Sequence, residues 1–361
     1  MQHALKGRQG PCMSRTASSR ARSKLMVTVS ATDKEVASPV RAKPLINIIP
    51  DNGRDAGRSF GGVPPVMGAH LMASGFVAPM STSKGPGVDL VPHQFQYTSI
   101  EGDASIVLFF SKAGLAQGVV KAVLEAADAA IAAKGSFTLV LSGGSLLNLL
   151  SGLVGKKEPA WDKWHIFYVD ERNVPYTSPD STHKAATEIL LSKVPIPAAN
   201  IYAILEGVPV EQAAINYEGR LIGLPTSVLP RAANGFPVFD LILLGMGPDG
   251  HVASLFPNRS QTAATHGWIL PVTASPKPPP ERITFTMPVI NAAKDIVLVA
   301  AGDEKAEIVQ RALEIQALPG SLPAQLVRPA EGRLRWFLDV QSAQHLNITE
   351  WENKKAWPRS Q

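Results

Sequence analysis

The chain has a single cysteine, Cys12, and only 6% of its 361 residues are aromatic. One thiol excludes a disulfide framework and a thiolate metal centre, and its place in the leading segment argues against a cysteine nucleophile. Long apolar runs are missing as well. None approaches the roughly 18 to 20 residues of a membrane span, so the chain reads as a soluble globular protein without a membrane partner. Acids are absent before Asp33, where six Lys and Arg (Lys6, Arg8, Arg15, Arg20, Arg22, Lys24) alternate with Ser and Thr. That is the composition of an organelle transit peptide, and it lacks the apolar core of a secretory signal. From 33 to about 92 the chain is rich in Gly, Pro and Ser, with Phe60 and Phe76 as its only aromatics. It has little to bury and reads as a disordered tether. A flexible extension without an address is the other reading.

The formal charge of +5 suggests an anionic polymer partner until the charges are located. Residues 1 to 95 hold 12 Lys and Arg against 5 acids, and the rest of the chain holds 23 against 25. The basicity belongs to the extension, so no nucleic-acid face is expected on the folded part. Composition thus divides the chain into a transit peptide and extension (1–95), one folded domain (96–345) and a C-terminal tail (346–361). Acid-poor, Ser-rich character and a long extension favour the chloroplast over the mitochondrion.

From about residue 100, short β-branched and aromatic runs (104–110, 136–142, 164–170, 239–245, 295–302, 334–339) alternate with helix-patterned stretches (113–135, 181–194, 210–224, 303–313). Nearly continuous apolar strands separated by helix-length segments predict a single α/β domain, a mostly parallel sheet with helices on both faces. Ligands of such sheets bind beyond the carboxyl ends of the strands.

Four loops there carry candidate chemistry. In LSGGS (141–145), Gly143 and Gly144 remove side chains at a strand-to-helix turn, which frees backbone N–H groups and the hydroxyls of Ser142 and Ser145 for an anion. The plainer alternative is a tight turn with Ser145 as helix cap. In DERNVP (170–175), Arg172 has the planar fork that grips phosphate, unless a neighbouring carboxylate pairs with it. GMGPDGH (245–251) fits the glycine spacing of a dinucleotide fingerprint, but the next acid after Asp249 is Glu281 and Pro257 forbids a long helix. The loop instead displays Asp249 and His251, a carboxylate able to orient an imidazole base. Asp249 capping a short helix at 250–256 is the alternative. In SPKPPPERIT (275–284), prolines stiffen the backbone around Lys277, a second candidate phosphate anchor; a PxxP ligand for a partner domain would look similar.

Together with LPAQLVRP (322–329) and WFLD (336–339), these motifs stand in the order found in the 6-phosphogluconolactonases, and the chain resembles that family over about residues 100 to 345. The resemblance implies a Rossmann-like α/β fold and hydrolysis of 6-phospho-D-glucono-1,5-lactone in the oxidative pentose phosphate pathway, with no metal or cofactor. It implies His251 and Asp249 as catalytic residues, and Gly143, Gly144, Ser145, Arg172, Gly247 and Lys277 around the substrate. The partner is then a small sugar-phosphate lactone, and the enzyme is expected to be a monomer. Ser181-Thr182-His183 departs from the family's Ser-Asn and removes one amide contact; His183 is expected on a helix surface. Two rivals are a glucosamine-6-phosphate deaminase, whose D-G-H loop continues with an Asn-Glu-Pro stretch lacking here, and a non-catalytic sugar-phosphate-binding regulator, which would need no base.

Overall fold

The computed structural model describes residues 92–99 and 102–347. The transit-peptide and tether readings, apart from the last residues before 96, and most of the C-terminal tail lie outside them. Ten strands are described: β1 (His93–Ser99), β2 (Gly102–Phe109), β3 (Phe137–Leu141), β4 (Trp164–Tyr168), β5 (Asp170–Arg172), β6 (Leu241–Gly245), β7 (Ile269–Val272), β8 (Arg282–Phe285), β9 (Asp295–Ala300) and β10 (Arg333–Asp339). Five α-helices accompany them: α1 (Lys112–Lys134), α2 (Thr182–Ala186), α3 (Val210–Ile222), α4 (Met287–Asn291) and α5 (Ala306–Glu314).

Seven strands form one sheet in the order β1-β2-β10-β9-β6-β3-β4, parallel throughout except for the hairpin edge β1. Successive residues of each inner strand enter opposite cores, as the two-residue repeat of a strand demands. Leu241 and Leu243 of β6 join the core under α1, while Ile242 and Leu244 join the core under α3 and α5. Both faces are therefore covered, the condition under which a parallel strand can be apolar on every residue. Each such Leu or Ile contributes about 1.5 to 3 kcal/mol by leaving water. Helix α1 starts where Ser111 Oγ accepts the Gly114 N–H at 3.0 Å, and it stops at Gly135.

Three differences from the sequence reading matter. Strand β1 begins at His93, so the folded domain reaches into the segment assigned to the extension. The run 164–170 is two strands, since after Val169 the chain leaves for a second sheet, β5-β8-β7, which is antiparallel. The stretch 181–194 is not one regular helix: α2 passes into a π-turn at Thr187–Leu191.

Candidate active site

The loop after β3 runs Ser142-Gly143-Gly144-Ser145 into a 3-10 helix, Gly144–Leu153. Its cap is Gly143 with no side-chain hydrogen bond, so Ser145 is not the helix cap. The first N–H groups of this helix have no intrahelical partner. Gly144 has φ +82, a left-handed conformation that glycine adopts without strain. A Cβ on Gly143 would stand 2.7 Å from Thr182 Oγ1, so the loop lies flat against the start of α2.

The loop after β6 holds the titratable pair. Gly247 donates its N–H to the His251 carbonyl at 2.9 Å, Gly250 donates to the Gly247 carbonyl at 3.0 Å, and Met246 bridges Val252. Residues 250–256 form turns and bridges, so the alternative of a short helix capped by Asp249 is not what the chain adopts. His251 Nδ1 and Asp249 Oδ1 are 2.5 Å apart. With Nδ1–H given to the carboxylate, Nε2 is the ring nitrogen left to accept a proton. A Cβ on Gly247 would come within 2.0 Å of His251 Cε1 and 2.8 Å of Asp249 Oδ1, so glycine at 247 makes the room in which the pair forms. Burial holds the imidazole below its ordinary pKa, aided by the Lys277 ammonium and opposed by Asp249. Burial pushes the Asp249 carboxyl up, but the His251 hydrogen bond and charge together with Lys277 outweigh it and hold the group below its usual range. Near neutral pH the pair is thus a carboxylate beside a neutral imidazole, which is the form a general base needs.

The small sheet supplies the opposite wall. Its three adjacent charges have three fates. Asp170 is buried and accepts Ser254 Oγ at 2.7 Å, which ties the far end of the histidine loop to β5. Glu171, 1% exposed, accepts the N–H groups of Arg172, Thr182 and His183 at 2.8, 2.8 and 2.7 Å and so caps α2. Arg172 faces the cleft, with Nη1 donating to the Asp180 carbonyl at 2.8 Å and Nε buried without a partner. Its bonded neighbour is a carbonyl and not a carboxylate, which leaves its charge for a ligand. Arg282 lies close enough that Arg172 depresses its pKa further, after burial. Two neighbouring guanidiniums favour an anion between them.

These parts enclose a cleft of about 540 Å³ bordered by Gly143, Gly144, Ser145, Arg172, Gly247 and His251. Six of the eight expected site residues therefore meet there. Asp249 stands behind His251. Lys277 also sits behind the ring, with Nζ 3.3 Å from Asp249 Oδ1 and 3.4 Å from His251 Nδ1. That contact sets the segment beside the pair, where a PxxP partner site would have left it apart. Sequence reasoning passed over Lys112, Arg282 and Lys305, which border the same cleft. Lys112 and Lys305 follow the carboxyl ends of β2 and β9, so the strand-end rule that drew attention to the other loops applied to them too. His183 is not a helix-surface residue: its Nδ1 meets Tyr168 Oη at 2.8 Å and its ring packs edge-on against Tyr176. Among the cleft's charged side chains, Lys112, Arg172, Arg282 and Lys305 face Asp170 and Glu304, an excess of cation suited to a phosphate.

A cleft that can hold a small anion and move a proton beside it, at the carboxyl edge of a parallel sheet, places the chain among α/β enzymes of small anionic substrates. Residues 111–336 match the family described as glucosamine-6-phosphate isomerases/6-phosphogluconolactonase, and the chain belongs to that family. It is 44% identical over 240 residues to a probable 6-phosphogluconolactonase 3, chloroplastic, of Oryza sativa subsp. indica, spanning 65% of this chain and 73% of the relative. To the 6-phosphogluconolactonase 3, chloroplastic, of Arabidopsis thaliana it is 47% identical over 218 residues, spanning 59% and 66%. Among solved structures, the 6-phosphogluconolactonase of Trypanosoma brucei superposes with a TM-score of 0.59 at 27% identity, covering 67% of this chain and 98% of that one.

Proposed function

We propose that the chain hydrolyses 6-phospho-D-glucono-1,5-lactone to 6-phospho-D-gluconate, with His251 as the general base. The observation that carries the mechanism is the 2.5 Å contact between His251 and Asp249 at the edge of a cationic cleft. Arg172, Lys305 and the N–H groups at Gly143 to Ser145 hold the 6-phosphate, which fixes the lactone ring across the cleft. Nε2 of His251 takes a proton from water as the water oxygen bonds to C1. The carbonyl oxygen becomes an oxyanion that the excess positive charge of the cleft stabilises. When the tetrahedral centre collapses, the C1–O5 bond breaks, and the imidazolium returns its proton to O5 while the new carboxyl group loses its own to solvent. Asp249 keeps Nδ1–H in place throughout and stabilises the imidazolium between the two transfers. General-base help of about 100 to 10,000-fold, added to positioning, suffices for an activated ester, and no covalent intermediate is required. The steps call on no metal or cofactor.

All groups invoked come from one chain, so a monomer is sufficient. The chloroplastic names of relatives and the acid-poor, Ser-rich start support residence in the plastid stroma, with residues before β1 as transit peptide and tether. Mass spectrometry of the native protein's N-terminus tests this; an intact Met1 would contradict import. The activity is tested by generating the lactone in situ from glucose 6-phosphate and following acid release against the spontaneous rate. Catalysed release is expected, whereas binding without acceleration would select a regulator.

A further inference from the structure

Lys277 is carried by a backbone that cannot tie itself down. Prolines 278, 279 and 280 have no N–H to donate, so the carbonyls around them need an outside donor. Arg282 supplies it. Its Nη2 donates to the carbonyls of Lys277 at 2.9 Å and Pro278 at 3.0 Å, and its Nε donates to that of Pro279 at 3.0 Å. The guanidinium is itself fixed, only 4% exposed and 5.7 Å above the Phe256 ring. Ser275 closes the other end: its N–H donates to the Pro280 carbonyl at 2.9 Å, and its Oγ accepts the Lys277 N–H at 3.2 Å. The ammonium is thereby delivered to the proton-transfer pair, 3.3 Å from Asp249 Oδ1 and 3.4 Å from His251 Nδ1. One carboxylate oxygen then serves two donors. An imidazolium formed here would stand against a fixed ammonium, a like-charge contact that disfavours the protonated ring.

We propose that Lys277 is a positioning residue for the base: tied in place by Arg282, its ammonium braces Asp249 and keeps the His251 imidazole free of a proton in the resting enzyme, while the substrate phosphate is gripped elsewhere in the cleft. This rests on the reading of His251 as the base. The charged groups acting on His251 are Asp249 on its own loop, Lys277 from the proline loop and Asp170 from β5, and the Phe256 ring packs 4.7 Å from it. Lys305 reaches the same cluster from the start of α5, through Lys277 and Asp249. The two carboxylates favour imidazolium; burial and Lys277 oppose it, and the pKa is lowered.

The test compares the wild-type enzyme with Lys277→Gln and Lys277→Arg. The His251 ring is titrated by NMR, and the pH dependence of kcat is measured on the lactone. In Lys277→Gln the His251 midpoint and the acidic limb of kcat are expected to move together to higher pH, with KM close to wild type, and Lys277→Arg is expected to restore both. The half-exposed side chain makes unfolding of either variant an unexpected result, checked by circular dichroism. An unmoved His251 midpoint would overturn the proposal. So would a KM raised about ten- to a hundredfold with the limb unchanged, since that is the effect of losing a charge-assisted bond to phosphate. Both of those outcomes leave His251 standing as the base. A midpoint that moves while the kcat limb stays would instead overturn the base reading, and this proposal with it.

Discussion

The seven-stranded sheet reaches the cleft through loops of glycine, whereas the three-stranded sheet reaches it through arginine and proline. The difference follows from what each sheet has to deliver. At the edge of the parallel sheet, β3 and β6 must turn sharply and let backbone N–H groups and an imidazole approach a ligand, so bulk is removed at Gly143, Gly144 and Gly247. The small sheet has to hold cations in a partly buried place, so its connections are stiffened and its charges are tied to carbonyls, as with Arg172 on Asp180 and Arg282 on the proline loop. In the proposed mechanism proton transfer belongs to the first region, while anion grip is shared between Arg172 of the second and the N–H groups after β3 and Lys305 after β9 of the first.

That division can be broken by substitution, and the largest effect is expected at the base. His251→Ala should lower kcat by about 100 to 10,000-fold with little change in KM, measured with the in situ lactone assay. Gly247→Ala comes next. A methyl group 2.0 Å from His251 Cε1 must displace the ring, and a misplacement of about 1 Å costs roughly a hundredfold in kcat. Arg172→Ala acts on the other region: KM should rise about ten- to a hundredfold while kcat falls far less, the signature of a lost charge-assisted contact made throughout the reaction. Glu171→Gln should leave the chemistry nearly intact and destabilise the fold by about 1 to 3 kcal/mol, read as a lower Tm, because a buried acceptor of three N–H groups loses its charge.

The smallest effect is one of pH. His165, His183 and His251 are all held below the ordinary value of 6.5 by burial. The unfolded chain therefore takes up protons first as pH falls. Their contribution to stability is present above about 6.5 and is lost on acidification toward the folded-state values. Thermal unfolding across pH 5 to 8 reads this directly.

The same contrast explains what was legible in the sequence. The inner strands of the parallel sheet announced themselves because both faces are buried, leaving nearly unbroken apolar runs such as Leu241–Leu244. The small sheet gave no such signal. Strand β7, ILPV, contains Pro271, which argues against a strand but is tolerated here because β7 is an edge. Strand β5 is three residues long and was absorbed into the run of β4. Strand β1 has two aromatics among polar residues at the border of a Gly- and Pro-rich stretch, where composition hid it. At the site, glycine and the Asp-x-His spacing pointed to two loops that border the cleft. Arg282 did not stand out, because its value lies in holding three carbonyls of a loop whose shape only the folded chain reveals.

The proton-transfer claim is tested most directly by chemical rescue. His251→Gly is assayed on the lactone with increasing free imidazole, after subtraction of the enzyme-free imidazole background. Turnover is expected to be nearly lost without imidazole and to rise with the concentration of its neutral form. Wild-type turnover by His251→Gly in the absence of imidazole would contradict a base at this position.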